Sequence, residues 1–454
     1  MATIRVLVEI DREAPASAEA LGAAPELPAG LPALPGLEVD DDFGTVPMGL
    51  PAAVTESLGV RPQQRTSIIR GEADRDAIDA LRAGQQVVEV YSDPEIAPVA
   101  SASLVTNACG PLDCDPGSAK GDRDDIAEAL GIQALWDEGY RGQGVVIGIV
   151  DGGVDADKYP VIGGWSPIAS SPPGVASHWD EHGNMCAFDS LIAASEAKLY
   201  DLGIGKAPGG MSVFLSAALQ SFQLSLNQFR VDGTPQVLSN SWGLYQDAWD
   251  PFPPGNPGNY THNSNHPFTR KAVEVMDEGI LVAFAAGNCG DPCPAGRCGP
   301  DHGPGRSIRG ANGHERVICC GAANRLRQRI GYSSEGPATL FDAKPDLCGY
   351  SHFEGHFPVD TGTSAATPVV AGVLATLRSR FPGLHQDRAR RVLNETAINI
   401  CAPGFDSHSG YGVVNPPAAY TRLKSELEAG LPEWLLQVLK DLGVVEEVLR
   451  RAPA

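Results

Sequence analysis

Residues 145–153 read VVIGIVDGG, a short apolar run that ends in a carboxylate and two glycines. Similar runs recur further along the chain, separated by helical patterns such as RKAVEVM; they are AKLYD (197–201), QVLS (236–239), ILVAFAA (280–286) and RVICC (316–320). Strands that are apolar throughout, rather than at every second position, are buried on both faces. The pattern therefore predicts an α/β fold with a mainly parallel sheet flanked by helices.

Asp151 directly follows the first of these strands, and Gly152 and Gly153 allow the chain to turn sharply there. In parallel sheets, reactive groups lie just beyond the carboxyl ends of strands. An aspartate at a strand exit is also a common turn residue, so its position alone does not assign it a chemical role.

His182 lies in the segment HWDEHGNMCAF, where the following apolar residues recur with helical spacing. A histidine at the start of a helix is often only a structural hydrogen-bonding group. His178 is a nearby competitor, but only His182 is followed by a glycine, which would let a substrate backbone come close. Cys186 is one helical turn beyond His182 and is expected to be a small buried residue that touches it.

Ser364 lies in DTGTSAATPVVAGVLATL, at the start of a long apolar helix with Pro368 in its first turn. A hydroxyl in this position can act as a nucleophile because unpaired amides and the positive end of the helix dipole stabilise negative charge there. Asn288 ends the run AFAAGN at the exit of another buried strand, where its amide can donate to the same anion. The alternative is that Ser364 only caps the N-terminus of the helix.

Several segments, in chain order, resemble the signature blocks of the subtilisin-like serine proteases. The resemblance covers residues 126–419, and the order Asp, His, Ser is that of this family. Two blocks depart from the family pattern, DGG for the commoner Asp-Ser/Thr-Gly and HGNMCAF for HGTxVAG, but both keep the reactive residue. The matching blocks are IGIVDGGV, EHGN, LSNSWG, AAGN, YSSEGP, KPDL, GTSAATPVVAG and SGYGVVNPPAA.

The resemblance implies a serine endopeptidase that needs no cofactor for its chemistry and acts on a peptide or protein. His182 would take the proton of Ser364, Asp151 would orient the imidazole, and Asn288 would donate to the oxyanion. The resemblance also implies two sets of substrate-binding residues. One set pairs with the substrate backbone as a strand and comprises Ser241, Trp242 and Gly243. The other forms the pocket for the residue before the cut and comprises Ala285, Ala286 and Gly287.

The resemblance leaves other activities open. A peptide ligase or macrocyclase would use the same acyl-enzyme, and a catalytically inactive chain would only bind peptides. The long segment from Leu244 to Phe268 follows the substrate strand and is expected to form either a rim of the cleft or an inert insertion.

Residues 1–98 predict a small α/β unit, with strands at 3–10, 66–70 and 85–91 and a Pro/Ala/Gly-rich loop from Pro15 to Pro51. This unit resembles an inhibitory subtilase prodomain, the alternative being an unrelated accessory domain. Residues 99–123 are expected to be a linker with a possible processing site, 124–420 the peptidase domain, and 421–454 an amphipathic helical tail.

The net charge of −22 disfavours nucleic acid and anionic membranes as partners. No export signal or membrane-spanning stretch is seen, so we expect a cytoplasmic protein in which the ten cysteines are free thiols or metal ligands rather than disulfides. Cys289, Cys293, Cys298 and His302 have a spacing that could hold zinc, although disulfides or free thiols are equally open. Cys319 and Cys320 are expected in the core. The oligomeric state is not indicated.

Overall fold

In the computed structural model of the chain, the described residues are 3–11, 34–40, 42–49, 66–98, 109–175, 181–205, 213–305, 307–429 and 439. The strands are β1 (Thr3–Ile10), β2 (Leu37–Val39), β3 (Val46–Met48), β4 (Thr66–Asp74), β5 (Val87–Ser92), β6 (Glu95–Pro98), β7 (Val146–Val150), β8 (Val161–Trp165), β9 (Lys198–Leu202), β10 (Val213–Phe214), β11 (Val237–Asn240), β12 (Trp242–Gly243), β13 (Leu281–Ala285), β14 (Ile318–Ala323) and β15 (Leu347–Tyr350). The helices are α1 (Ile78–Arg82), α2 (Arg123–Leu130), α3 (Gln133–Asp137), α4 (His182–Ala193), α5 (Leu215–Asp232), α6 (Pro267–Glu278), α7 (Gly362–Arg380), α8 (Gln386–Thr396) and α9 (Pro416–Ala429).

Seven parallel strands form the central sheet, in the order β15-β14-β13-β11-β7-β9-β8. All five apolar runs of the sequence lie in it, and the predicted parallel sheet flanked by helices is confirmed. Because the strands are parallel, the chain leaves β7, β11 and β13 at the same edge of the sheet. Asp151, Ser241 and Asn288 follow these three neighbouring strands.

Two apolar clusters cover the two faces of the sheet. Helices α4 and α7 pack on one face, where α7 is buried along almost its whole length. This explains why its sequence is apolar all round instead of showing a polar stripe. Helices α5 and α6 pack on the other face and share their cluster with part of the N-terminal unit.

The N-terminal unit is an antiparallel sheet of order β2-β4-β1-β5, with β3 also paired to β4. Leu7, Ile68 and Tyr91 belong to the same apolar cluster as α5 and α6. Polar contacts reinforce this packing, since Arg270 pairs with Glu9 at 2.6 Å and Lys271 Nζ donates to the carbonyl of residue 47 at 2.9 Å. The N-terminal unit therefore packs against helices α5 and α6 of the peptidase domain.

Several local expectations need correction. The segment IAEALGIQALW (126–136) has an apolar pattern that predicts one helix, but it forms parts of two helices, because Gly131 takes a left-handed conformation (φ +63°) and ends α2. The described parts of the 15–51 segment contain β2 and β3, so this segment is not all loop. Helix α9 runs from Pro416 to Ala429 across the expected boundary at residue 420, and the rest of the predicted tail, apart from Leu439, lies outside the described residues. No helix of the described segments is long and apolar enough to span a membrane.

The expectation of free thiols over disulfides is wrong for six cysteines. They form the bonds Cys109–Cys401, Cys114–Cys293 and Cys289–Cys298. The zinc alternative fails for the same reason, because all three of its cysteines are bonded to sulfur and His302 Nδ1 is 2.7 Å from Asp291 Oδ1. Cys186, Cys319, Cys320 and Cys348 are free and buried, as expected for Cys319 and Cys320.

The bond between Cys109 and Cys401 joins residues 292 positions apart and ties the start of the peptidase segment to its far end. Closing so long a loop restricts the unfolded chain, so replacing both cysteines by serine is expected to lower the free energy of unfolding by about 2–4 kcal/mol. Denaturant unfolding of the two proteins measures the difference. Equal stability, or absence of this cysteine pair from a non-reducing peptide map, would contradict the assignment.

Candidate active site

Asp151 and His182 are in direct contact at the carboxyl edge of the sheet. His182 is the first residue of α4, and its Nδ1 lies 2.8 Å from Asp151 Oδ1, which also accepts from the amide of Gly152 at 2.7 Å. The Asp151 side chain is 1% exposed and that of His182 is 12% exposed. The backbone turn after Asp151 therefore holds the carboxylate in place, and the carboxylate orients the imidazole of His182.

Gly183 allows a close contact between α4 and the turn after Asp151. A Cβ at this position would come within 2.3 Å of the carbonyl oxygen of Gly153. The glycine thus lets α4 approach the turn that follows Asp151, and the expected room for a substrate backbone stays a prediction. The competitor His178 lies outside the described residues.

Ser364 is the third residue of α7 and is joined to the end of β11 by a reciprocal pair of hydrogen bonds. Its hydroxyl donates to the carbonyl of Ser241 at 3.1 Å, and the Ser241 hydroxyl donates to the carbonyl of Ser364 at 3.0 Å. Gly362, with φ +82°, makes the turn into the helix. The nucleophile candidate is therefore anchored to the first residue of the predicted substrate-binding segment.

Cys186 lies between the three predicted catalytic residues. Its Sγ is 3.6 Å from Asp151 Oδ2, 3.8 Å from His182 Nδ1 and 3.8 Å from the carbonyl of Ser364. Burial, with the neighbouring charge of Asp151, raises the pKa of Cys186 well above that of a free thiol. It remains a neutral packing residue between α4 and α7, not a competing nucleophile.

The side-chain amide of Asn288 uses its oxygen within the protein but not its donor group. Its Oδ1 accepts from both the backbone N–H and the hydroxyl of Thr363 at 3.0 Å, which sets the orientation of the amide. Its Nδ2 is buried and has no hydrogen-bond partner among the described residues. Because this amide is bonded to Thr363, the residue before Ser364, its open donor suits an anion that is present only during a reaction.

The substrate-strand candidate is already paired with the end of the N-terminal unit. β6 lies between β10 and β12, with Trp242 opposite Pro98 and Gly243 opposite Ala97 in antiparallel register. Its Ile96 side chain is buried in the same apolar cluster as Trp242. β6 thus occupies the groove between β10 and β12 by adding a strand to them.

A small cavity lies beside Asn288, where the pocket for the residue before the cut was expected. Ala286 and Gly287 line it, while Ala285 lies within β13 and uses its carbonyl to accept from Asn312 at 2.9 Å. The cavity is lined by Gly243, Leu244, Tyr245, Ala286, Gly287, Cys289, Ser307, Arg309 and Asn312. Arg309, which sequence reasoning missed, is a buried cation in its wall.

A model of the subtilase family matches residues 142–412 of this chain. The chain belongs to the subtilase family. Subtilisin DY of Bacillus licheniformis is 28% identical over 286 residues, covering 62% of this chain and 93% of that protein. The minor extracellular protease Epr of Bacillus subtilis is 23% identical over 306 residues, covering 65% of this chain but only 41% of Epr. The enzyme is thus a subtilisin-like serine endopeptidase.

Among solved structures, fervidolysin from Fervidobacterium pennivorans aligns with a TM-score of 0.57 at 19% identity. The alignment covers 89% of this chain and 65% of the fervidolysin chain. At this identity, the similarity supports the subtilisin-like fold, which the seven-stranded sheet shows independently.

Subtilases need no cofactor for catalysis. The ligand atoms of Asp151, His182 and Cys186 lie within 4.8 Å of one another, a spacing that is also compatible with a metal ion. The second such group, Cys109, Cys401 and Asp406, has both sulfurs in a disulfide.

A buried chain of hydrogen bonds supports the turn before Ser364, and sequence reasoning missed it. The amide of Gly362 donates to Tyr332 Oη at 2.9 Å, Tyr332 Oη is 2.6 Å from His352 Nε2, and His352 Nδ1 is 2.8 Å from Asp113 Oδ2. Burial opposes ionisation of Asp113, but its bonds with His352 and Asn324 outweigh this effect and lower its pKa to about 2. No local sequence signal links these residues, which come from four separate segments.

The lowered pKa of Asp113 makes a pH-dependent contribution to stability. Since the carboxylate is favoured in the folded protein, its contribution is complete above pH of about 4 and is lost as the pH falls towards 2. The size expected is about 2 kcal/mol. Denaturant unfolding of wild type and Asp113→Asn at several pH values measures it. The variant should lose less stability over this range, and parallel pH curves would contradict the assignment.

Proposed function

We propose that Ser364, His182 and Asp151 form the catalytic triad of this endopeptidase and that Asn288 donates to the oxyanion. The contact that carries the proposal is the 2.8 Å bond between Asp151 and His182, at the edge where the Ser364 hydroxyl is anchored. His182 acts as general base towards Ser364, and Asp151 stabilises the imidazolium that results. Ser364 then attacks the peptide carbonyl to form an acyl-enzyme, which water hydrolyses.

The open Nδ2 of Asn288 supports the second part of this proposal. Negative charge develops on the carbonyl oxygen during attack, and a donor that is already oriented stabilises it without further rearrangement. The backbone amide of Ser364, in the first turn of α7, is the expected second donor.

A fluorophosphonate probe tests the nucleophile. It should label the wild-type protein, but neither Ser364→Ala nor denatured wild type, because labelling requires the activated hydroxyl. Intact-protein mass spectrometry detects the adduct. Absence of labelling in processed wild-type protein, or equal labelling of Ser364→Ala, would contradict the assignment and favour a peptide-binding scaffold.

Asn288→Ala tests the oxyanion donor. Turnover should fall by about 10²–10³-fold while KM changes little, because the lost interaction forms only in the transition state. Steady-state kinetics on a peptide substrate measures both constants. A variant that keeps wild-type turnover would exclude this role.

Product masses from the same reactions would reveal joined peptides if the enzyme were a ligase.

We also propose that residues 1–98 act as an inhibitory prodomain. The position of β6 against β12 supports this proposal, because a peptide in this groove blocks access to any other substrate. Pro98 is the last described residue of the paired segment, and Cys109, the next described residue, is tied to the peptidase domain through Cys401. The processing bond is therefore expected within residues 99–108, which lie outside the described residues.

The prodomain proposal predicts a cut that depends on the enzyme's own serine. Purified wild-type protein should yield a new N-terminus between residues 100 and 109, whereas Ser364→Ala should remain intact. N-terminal sequencing measures this directly. Full activity of an uncut chain would favour the alternative, an accessory domain.

The cytoplasmic location expected from the N-terminus stays a prediction. The three disulfides of the described residues weigh against it, since such bonds are typical of oxidising compartments. We infer that the chain matures where disulfides can form.

A further inference from the structure

The carbonyl oxygen of Pro98 receives two side-chain hydrogen bonds at the end of the occupied groove. Tyr245 Oη and Arg297 Nη1 each donate to it at 2.7 Å. Pro98 is paired with Trp242, the residue after Ser241, and Ser241 accepts from the Ser364 hydroxyl. The two donors therefore bind the main-chain carbonyl of the residue opposite Trp242, and Trp242 directly follows the residue that is bonded to the nucleophile.

Both donors also make contacts within the peptidase domain. The guanidinium of Arg297 lies over the Tyr245 ring, 5.1 Å from its centre, and the carbonyl of Arg297 accepts from Gln246 at 2.7 Å. Arg297 also belongs to the short loop closed by Cys289–Cys298, directly after Asn288. These contacts do not involve β6, so they restrict the two side chains independently of it and lower the entropy lost when a peptide binds.

Arg309 holds the backbone of Tyr245 from behind. Its side chain is 1% exposed, its Nε donates to Asp247 at 2.9 Å, and its Nη1 donates to the carbonyl of Tyr245 at 3.0 Å. Asp301, three residues after Cys298, lies 3.3 Å from the same guanidinium. This buried cation therefore links the segment that carries Tyr245 to the one that carries Arg297.

We propose that Tyr245 and Arg297 form a clamp for one main-chain carbonyl of the peptide substrate, on the side preceding the bond that is cut. The proposal rests on the proposed function, since it takes β6 to lie where a substrate lies. One donor is charged, and hydrogen bonds to charged groups are the stronger ones. Because every peptide has this carbonyl, the clamp adds affinity without selecting a side chain, and it serves the prodomain and substrates alike.

Kinetics on a peptide test the clamp. The substrate is the decapeptide DPEIAPVASA, residues 93–102 of this chain, and the enzymes are processed wild type, Tyr245→Phe, Arg297→Gln and the double variant. Each single change should raise KM by roughly 5- to 50-fold with little effect on kcat, since the bonds form with bound substrate. Arg297→Lys should recover part of the loss, and Arg123→Gln, an exposed arginine of α2, serves as the matched control.

The rate of fluorophosphonate labelling separates this proposal from the catalytic one. The probe has no peptide carbonyl to clamp, so the variants should be labelled as fast as wild type. Normal labelling with kcat/KM within twofold of wild type would overturn the clamp and leave the triad intact. Failure of wild type to be labelled would instead overturn the proposed function.

A second measurement does not depend on activity. In the uncut Ser364→Ala protein, adding Tyr245→Phe and Arg297→Gln should speed amide hydrogen exchange at Ile96 and Ala97 by at least tenfold, because β6 leaves the groove more often. Unchanged exchange there would overturn the clamp. Equal melting temperatures of the two proteins would show that the change is local.

Discussion

The close approach of helix α4 to the sheet edge and to helix α7 is the constraint on which the active site depends. A Cβ on Gly183 would meet the carbonyl of Gly153 at 2.3 Å, and a Cβ on Gly372 would meet the carbonyl of Ser190 at 2.1 Å. Only glycine permits both contacts. The first sets His182 against the turn after Asp151, and the second lets the helix that carries Ser364 lie directly against the helix that carries His182.

Much of this arrangement was predictable from local sequence. Apolar runs identify strands buried on both faces, and parallel strands bring Asp151, Ser241 and Asn288 to one edge without knowledge of side-chain positions. The Asp113–His352–Tyr332 chain was not predictable, because its members come from distant segments and each looks ordinary in its own segment. The disulfides were missed because compartment was inferred from the N-terminus, whereas cysteine pairing is decided by Cα distances such as the 6.3 Å between Cys114 and Cys293.

The groove between β10 and β12 connects regulation to catalysis. In this structure its two edge strands pair with β6, an extended segment of the same chain. Its walls include the loop closed by Cys289–Cys298 and the segment that Arg309 holds, which belongs to the 244–268 stretch expected at the rim of the cleft. In the proposed function, inhibition and substrate binding use the same contacts, and removal of the N-terminal unit exposes the groove that β6 fills.

Whether Ser364 and His182 act as one unit is tested most directly by comparing kcat for Ser364→Ala, His182→Ala and the double variant. If the imidazole serves only to activate the hydroxyl, each single change should remove nearly the whole triad contribution and the double variant should be no slower than either. Losses that multiply in the double variant would show that the two residues act independently, which would contradict the triad.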